Sequence, residues 1–223
     1  MSLEPKYISK ENLDERAEKL LSRYRGGTLL AVAAPLDIEH FAEFELDAKL
    51  DYQRLSADDS VLGMSVFQDL TLPVASASGA RAHVEIPART IVIDDQALDG
   101  SPEGRFQFTI AHECAHLILH SRIFYRDPSM SCPNKSGYLP FTAETENVGT
   151  EKFNRGEFQA NYLGAALLMP KMTFSRAFHE FVPLPWGEMT DRNKRQVVSQ
   201  LADLFNVSPT AAALRIKHLE LAS

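Results

Sequence analysis

Five consecutive residues, His112-Glu113-Cys114-Ala115-His116, carry the densest chemistry in this 223-residue sequence. On a helix, His112 and His116 stand four positions apart, so both imidazoles leave the same face one turn from each other. Two ring nitrogens so placed can reach one divalent cation at about 2.0–2.1 Å, the ordinary Zn–N distance. Glu113 is rotated by about 100° from His112, near the cation without being forced to bind it. That position suits a general base, which takes a proton from water activated by the metal. A chain with 7 histidines shows this spacing by chance on the order of 0.02 times, so the pattern is informative. The competing reading is an amphipathic helix with its polar residues in water. The flanks oppose it: Phe106, Phe108, Ile110 and Ala111 precede the motif, and Leu117, Ile118 and Leu119 follow. Two histidines and a glutamate buried without partners in such a run would be costly.

A catalytic zinc takes a third protein ligand and keeps one position open. The metzincin extension, a glycine three residues after the second histidine and another histidine three beyond, is absent, because Leu119 and Arg122 stand there. The third ligand is therefore sought on another element, and Glu157 is the best source. It opens a helix whose Ala160, Leu163, Leu167 and Leu168 are apolar; the alternative is a carboxylate placed in a first turn by the helix dipole. Asn161, one turn later on the same face, is placed to hydrogen-bond a ligand histidine. His120 is a candidate for the same supporting role, although its position about 80° round the helix from His112 favours a packed or loop-contacting histidine. Cys132 could approach the metal, a surface thiol being the simpler reading. Tyr125, Tyr138, Tyr162 and His179 are each candidates to stabilise an oxyanion, and nothing in the sequence selects one.

These groups need elements to hold them. A first helix is predicted from Ser9 to Tyr24, with Ser9 as cap, Ile8 and Leu13 as a hydrophobic staple, and Gly26-Gly27 as its end. Asp37 caps a short helix carrying Ile38, Phe41 and Ala42. Between Leu46 and Asp95 the period becomes two: Leu46, Ala48, Leu50 and Tyr52 alternate with polar residues, and Val61–Phe67, Ala82–Ile86 and Thr90–Ile93 read as strands. Helical patterning returns from Arg105 to His120, and an irregular stretch follows over 121–156. Further helices are expected over Glu157–Met169, Lys171–Phe181, Arg192–Phe205 and Pro209–Leu219. Helices, then strands, then helices make an α+β fold, with a small, mostly antiparallel sheet packed against helices. We expect one domain over 1–190, including the N-terminal helix in 1–27 and the 121–156 loop. A helix-turn-helix-like segment over 191–223 is expected to pack on the same core.

Composition narrows the partners. With 44% hydrophobic residues the chain can bury a core, and 23 Lys+Arg against 30 Asp+Glu give a net charge of −7, which argues against a nucleic-acid coat. Arg192, Lys194, Arg195, Arg215 and Lys217 add positive charge to the last two helices, yet Thr210-Ala211-Ala212-Ala213-Leu214 offers few groups to read base edges. Direct nucleic-acid binding is not expected. Two cysteines exclude a disulfide framework. The run Leu29–Leu36 is too short to span a bilayer, and no secretory leader is evident. A cytoplasmic location with reduced thiols is expected.

The stretch Arg105-Phe106-Gln107-Phe108-Thr109-Ile110-Ala111-His112-Glu113-Cys114-Ala115-His116-Leu117-Ile118-Leu119-His120 resembles the signature helix of the ImmA/IrrE-type metallopeptidases. Glu157 to Pro170, with its Gln-Ala-Asn step and Ala-Leu-Leu-Met-Pro ending, resembles that family's second signature. Pro35-Leu36-Asp37-Ile38 and Val207-Ser208 to Arg215 are weaker echoes. The sequence departs from the pattern at Cys114, where a bulky aliphatic residue is usual, and in the length of 121–156. The resemblance implies a zincin-like α+β fold, one Zn²⁺ per chain (Mn²⁺ or Fe²⁺ being alternatives) on His112, His116 and Glu157, and Glu113 as catalytic base. It also implies an endopeptidase whose protein substrate is a helix-turn-helix repressor of a phage, mobile-element or stress response. The alternative is a non-catalytic regulatory protein that uses zinc structurally and binds a protein partner or DNA through its C-terminal helices.

Overall fold

The Ser9 hydroxyl accepts the Asn12 amide at 3.3 Å and so starts helix α1, Lys10–Leu21, whose Leu13, Ala17 and Leu21 form the buried stripe the spacing predicts. The computed structural model describes residues 5–55, 61–75, 81–94, 103–124, 133–135 and 155–222. α1 ends before Tyr24. The chain tightens into a turn at Tyr24–Gly27, passing through left-handed backbone at Arg25, Gly26 and Gly27, and re-forms as a one-turn helix α2, Thr28–Ala31. Tyr24 stays buried, which is why the apolar spacing ran on past the real helix end. Asp37 caps α3, Ile38–His40, through the His40 amide at 3.2 Å, and a wider turn over Phe41–Glu45 buries Phe41 and Ala42.

Six strands follow among the described residues: β1 Lys49–Gln53, β2 Val61–Val66, β3 Leu70–Ala75, β4 Arg81–Ile86, β5 Thr90–Asp94 and β6 Pro133–Lys135. Four of them form one mixed sheet in the order β1-β5-β2-β6, with β1 parallel to β5 and the other pairs antiparallel. β3 and β4 make a separate antiparallel ribbon. β5 is buried along its whole length, consistent with its unbroken Ile91-Val92-Ile93 run between two covered faces. β3 was not foreseen because Pro73 reads as a strand breaker; in a two-stranded ribbon each strand has a free edge, where a missing N–H is tolerated.

The helices that carry the candidate residues are α4, Glu103–Phe124, and α5, Arg155–Leu168. The expected irregular stretch therefore starts later than residue 121: α4 continues past His120 to Phe124, and β6 lies within the stretch. Three residues led by a proline give too little alternation to reveal a strand. α4 and α5 touch backbone to backbone. A Cβ on Gly164 would meet the Ala111 carbonyl and the His112 amide nitrogen at 3.1 Å, so the absence of a side chain there lets α5 close on the motif. α6, Lys171–Phe181, α7, Asp191–Phe205 under a Thr190 cap, and α8, Pro209–His218 under a Ser208 cap, complete the chain. The architecture is α+β, and one apolar cluster joins residues of α1, β5 and α4 through α8. A smaller cluster of Met64, Val66, Ile86 and Val92 lies under the ribbon. Among the described residues no helix is long and apolar enough to cross a membrane.

Arg215 of α8 corrects a sequence expectation, for it does not lend charge to the surface. It is 1% exposed; its Nη2 lies 2.7 Å from Asp14 of α1, and its Nε donates to the Met169 carbonyl at 3.0 Å. The Tyr162 hydroxyl donates to the other Asp14 oxygen at 3.0 Å. This buried group ties α1 and α8 to α5, the helix that carries Glu157 in its first turn. Asp14→Ala leaves a guanidinium uncompensated in the core and is expected to cost about 3–5 kcal/mol. Urea unfolding checks this; a loss below about 1 kcal/mol, the level of an exposed pair, would mean water reaches the group.

Candidate metal centre

His112 and His116 project from the buried face of α4, and Glu157 reaches them from the first turn of α5. The Nε2 atoms of the two histidines are 3.0 Å apart. Glu157 Oε2 lies 3.2 Å from His112 Nε2, and Glu157 Oε1 lies 3.4 Å from His116 Nε2. In a tetrahedral zinc site with ~2.0–2.1 Å bonds, neighbouring donor atoms stand about 3.3 Å apart. The observed separations are close to these, with a different Glu157 oxygen facing each histidine, and the imidazole and carboxylate donors suit zinc, manganese or iron. Among the described residues these three form the one such group of His, Cys, Asp and Glu. The Glu157 side chain keeps 33% of its surface open, so the group is not sealed from solvent.

The nitrogens turned away from this centre have partners. His112 Nδ1 lies 2.9 Å from Asn161 Oδ1, one turn along α5 from Glu157. His116 Nδ1 lies 3.0 Å from His120 Nδ1, and His120 Nε2 lies 3.0 Å from Gln159 Oε1. Each histidine with a carbonyl-type neighbour carries its proton toward that oxygen. The structure thus brings Asn161 and His120 beside the two histidines.

Glu113 is fully buried. Its Oε2 lies 2.7 Å from the Ser65 hydroxyl of β2, which also lies 2.9 Å from the Glu113 carbonyl and can donate to one of them at a time. The other carboxylate oxygen, Oε1, has no hydrogen-bond partner among the described residues. An orphaned buried carboxylate oxygen is costly unless function holds it. β2 can lie this close because residue 63 is glycine: a Cβ there would sit 2.8 Å from Thr109 Cγ2 and 3.3 Å from Glu113 Cγ.

The protonation behaviour follows from burial and from these neighbours. Burial raises the Glu113 carboxyl to about 7, against the opposing pull of His112 and Ser65. Burial tends to raise Glu157 too, but its close contacts with His112 and His116 outweigh it and hold the carboxyl far below the usual range. Burial drives His116 down to about 4, which leaves a neutral ring with a lone pair to offer. Burial also pushes His112 down, yet Glu157 and Glu113 more than offset it and the net shift is upward. A cation taking His112 Nε2 displaces that proton. Burial and the adjacent Glu113 charge raise the Cys114 thiol well above its ordinary value, so it is an inert core group.

The oxyanion candidates fare differently. Tyr162 is buried with its hydroxyl on Asp14, and His179 is exposed on α6 against the edge of Phe178; neither is turned to the centre. Tyr125, Tyr138 and Cys132 lie outside the described residues. Sequence reasoning missed Ser65, Gly63, Gly164 and Gln159. For Ser65 a signal existed, a polar residue between Met64 and Val66 in a strand that is otherwise apolar, but the element it faces was not legible. A family model for peptidase M78, described as the IrrE N-terminal-like domain, matches residues 67–217. No curated protein matches the chain.

Proposed function

The chain belongs to the peptidase M78 family with the IrrE N-terminal-like domain, and from that premise we propose that it is a zinc-dependent endopeptidase. In this reading His112, His116 and Glu157 hold one Zn²⁺ and Glu113 is the catalytic base. When bound, the metal supplies a Lewis acid that polarises a peptide carbonyl and draws the pKa of water in the site toward roughly 7. Glu113 Oε1, the orphaned oxygen, takes the proton of the attacking water while Ser65 holds Oε2 in place. Glu113 then hands that proton to the departing amine. A carboxyl near 7 is matched to both steps, since it neither holds nor loses its proton too firmly at working pH. Asn161 orients His112 through Nδ1.

The observation that carries this reading is the convergence of three donor residues from two helices beside a buried carboxylate with one oxygen unpartnered among the described residues. The rival, a regulatory protein with a structural metal, gives that oxygen no task, and it loses Arg215 as a DNA contact because Asp14 occupies it. We take 191–223 as a core-closing part of the same unit. The substrate is a helix-turn-helix repressor, and the setting is cytoplasmic, in keeping with the free thiol of buried Cys114. Incubating the purified protein with candidate repressors should give discrete fragments, no cleavage after chelation, and recovery on adding zinc. Fragments that form equally with chelator present would overturn the metal-dependent reading.

A further inference from the structure

A line of buried polar groups runs away from the metal centre behind His116. Its Nδ1 meets His120 Nδ1 at 3.0 Å, His120 Nε2 meets Gln159 Oε1 at 3.0 Å, and Gln159 Nε2 donates to the Lys6 carbonyl at 2.7 Å. His116, His120 and Gln159 are each 1% exposed or less. The far end of this line is a backbone carbonyl, which can only accept. It therefore fixes which end of the Gln159 amide carries the hydrogens. Gln159 Oε1 is left to accept from His120, so His120 is protonated on Nε2 and its Nδ1 keeps a lone pair. That lone pair accepts the proton of His116 Nδ1, and the His116 Nε2 lone pair faces the centre, 3.4 Å from Glu157 and 3.0 Å from His112. Reversing the order anywhere would set two acceptors or two donors face to face in a buried site.

We propose that Gln159 and the Lys6 carbonyl, acting through His120, are positioning groups for His116: they lock its tautomer and ring plane so that the Nε2 lone pair always faces the centre. This rests on the metal-centre reading above and adds to it the segment ahead of α1, which lies outside the family match at 67–217. A second tie holds that segment to the same place. Arg155 Nη1, on the first turn of α5 with Glu157, donates to the Pro5 carbonyl at 3.1 Å. His112 has its own support from Asn161, two residues along α5 from Gln159.

Zinc and cobalt titrations of the full chain test this. Gln159→Leu and His120→Leu should weaken zinc binding about 10–100-fold and shift the visible bands of bound Co²⁺. His120→Asn, whose side-chain oxygen can stand where Nδ1 stood and accept from His116, should recover most of the loss. Wild-type zinc affinity and an unchanged cobalt spectrum in both leucine variants would overturn the proposal while leaving the metal centre intact. A wild type that binds neither ion would overturn the metal centre and this proposal together. Should the leucine variants not fold, long-range ¹⁵N–¹H correlation on the zinc-loaded wild type reads the tautomers directly. His120 protonated at Nε2 alone supports the line, and His120 protonated at Nδ1 overturns it.

Discussion

Glu113→Gln should lower peptide hydrolysis by about 10²–10⁴-fold, the usual share of a general base, with metal content and melting temperature at wild-type levels. The amide has the carboxylate's shape, so the fit against Gly63 and Thr109 is kept, and the Ser65 hydroxyl can still donate to its oxygen. What disappears is a proton acceptor at the Oε1 position. Stability should not suffer, because burial already disfavours the Glu113 charge and a neutral amide avoids that cost. The decisive data are kcat/KM beside metal content and Tm; an undiminished turnover would remove Glu113 from the chemistry. Ser65→Ala is the companion test. The hydroxyl stabilises the ionised form, so its loss raises the Glu113 pKa further. The base must be deprotonated to act, and activity rises as pH climbs through that pKa. The acid limb of the kcat/KM profile should therefore move to higher pH in Ser65→Ala, and an unmoved limb would show that Ser65 does not tune the base.

What the sequence revealed and what it hid divide along one physical line. Relations inside a single helix were legible: His112 and His116 meet because they are four apart, and Glu157 and Asn161 share a face of α5 for the same reason. The meeting of those two faces was reached only by asking where a third donor could come from. Relations that depend on which elements pack were not legible. Alternation told that Ser65 lies in a strand, but not that the strand runs under Glu113, and nothing local marks Gly63 and Gly164 as points of close approach. Arg215 read as surface charge because its partner Asp14 is 201 residues distant, and a buried cation is recognisable only when its counter-charge is known. Gln159 looked like an ordinary helical polar residue, since its two partners belong to α4 and to the segment before α1.

Glu157→Ala should leave the protein unable to retain metal, an effect beyond the roughly 10–100-fold cost of losing an outer hydrogen-bond partner of a ligand. Glu157 is the sole carboxylate of the three donors, and its charge offsets part of the charge of a divalent cation taken into a partly buried site. Its carboxyl is held ionised by His112 and His116, so the wild-type site stands ready without first losing a proton there. Truncation leaves two imidazoles that face each other at 3.0 Å with no anion between them. The metal-free variant should then lose about 1–3 kcal/mol as the buried rings lose a partner. Zinc at 100 times its Kd should raise wild-type stability by about 2.7 kcal/mol, whereas the variant's Tm should ignore zinc. Elemental analysis after dialysis, with His116→Ala in parallel, supplies the count of ions per chain. Equal metal in Glu157→Ala and the wild type would place the third donor elsewhere and undo the centre described above.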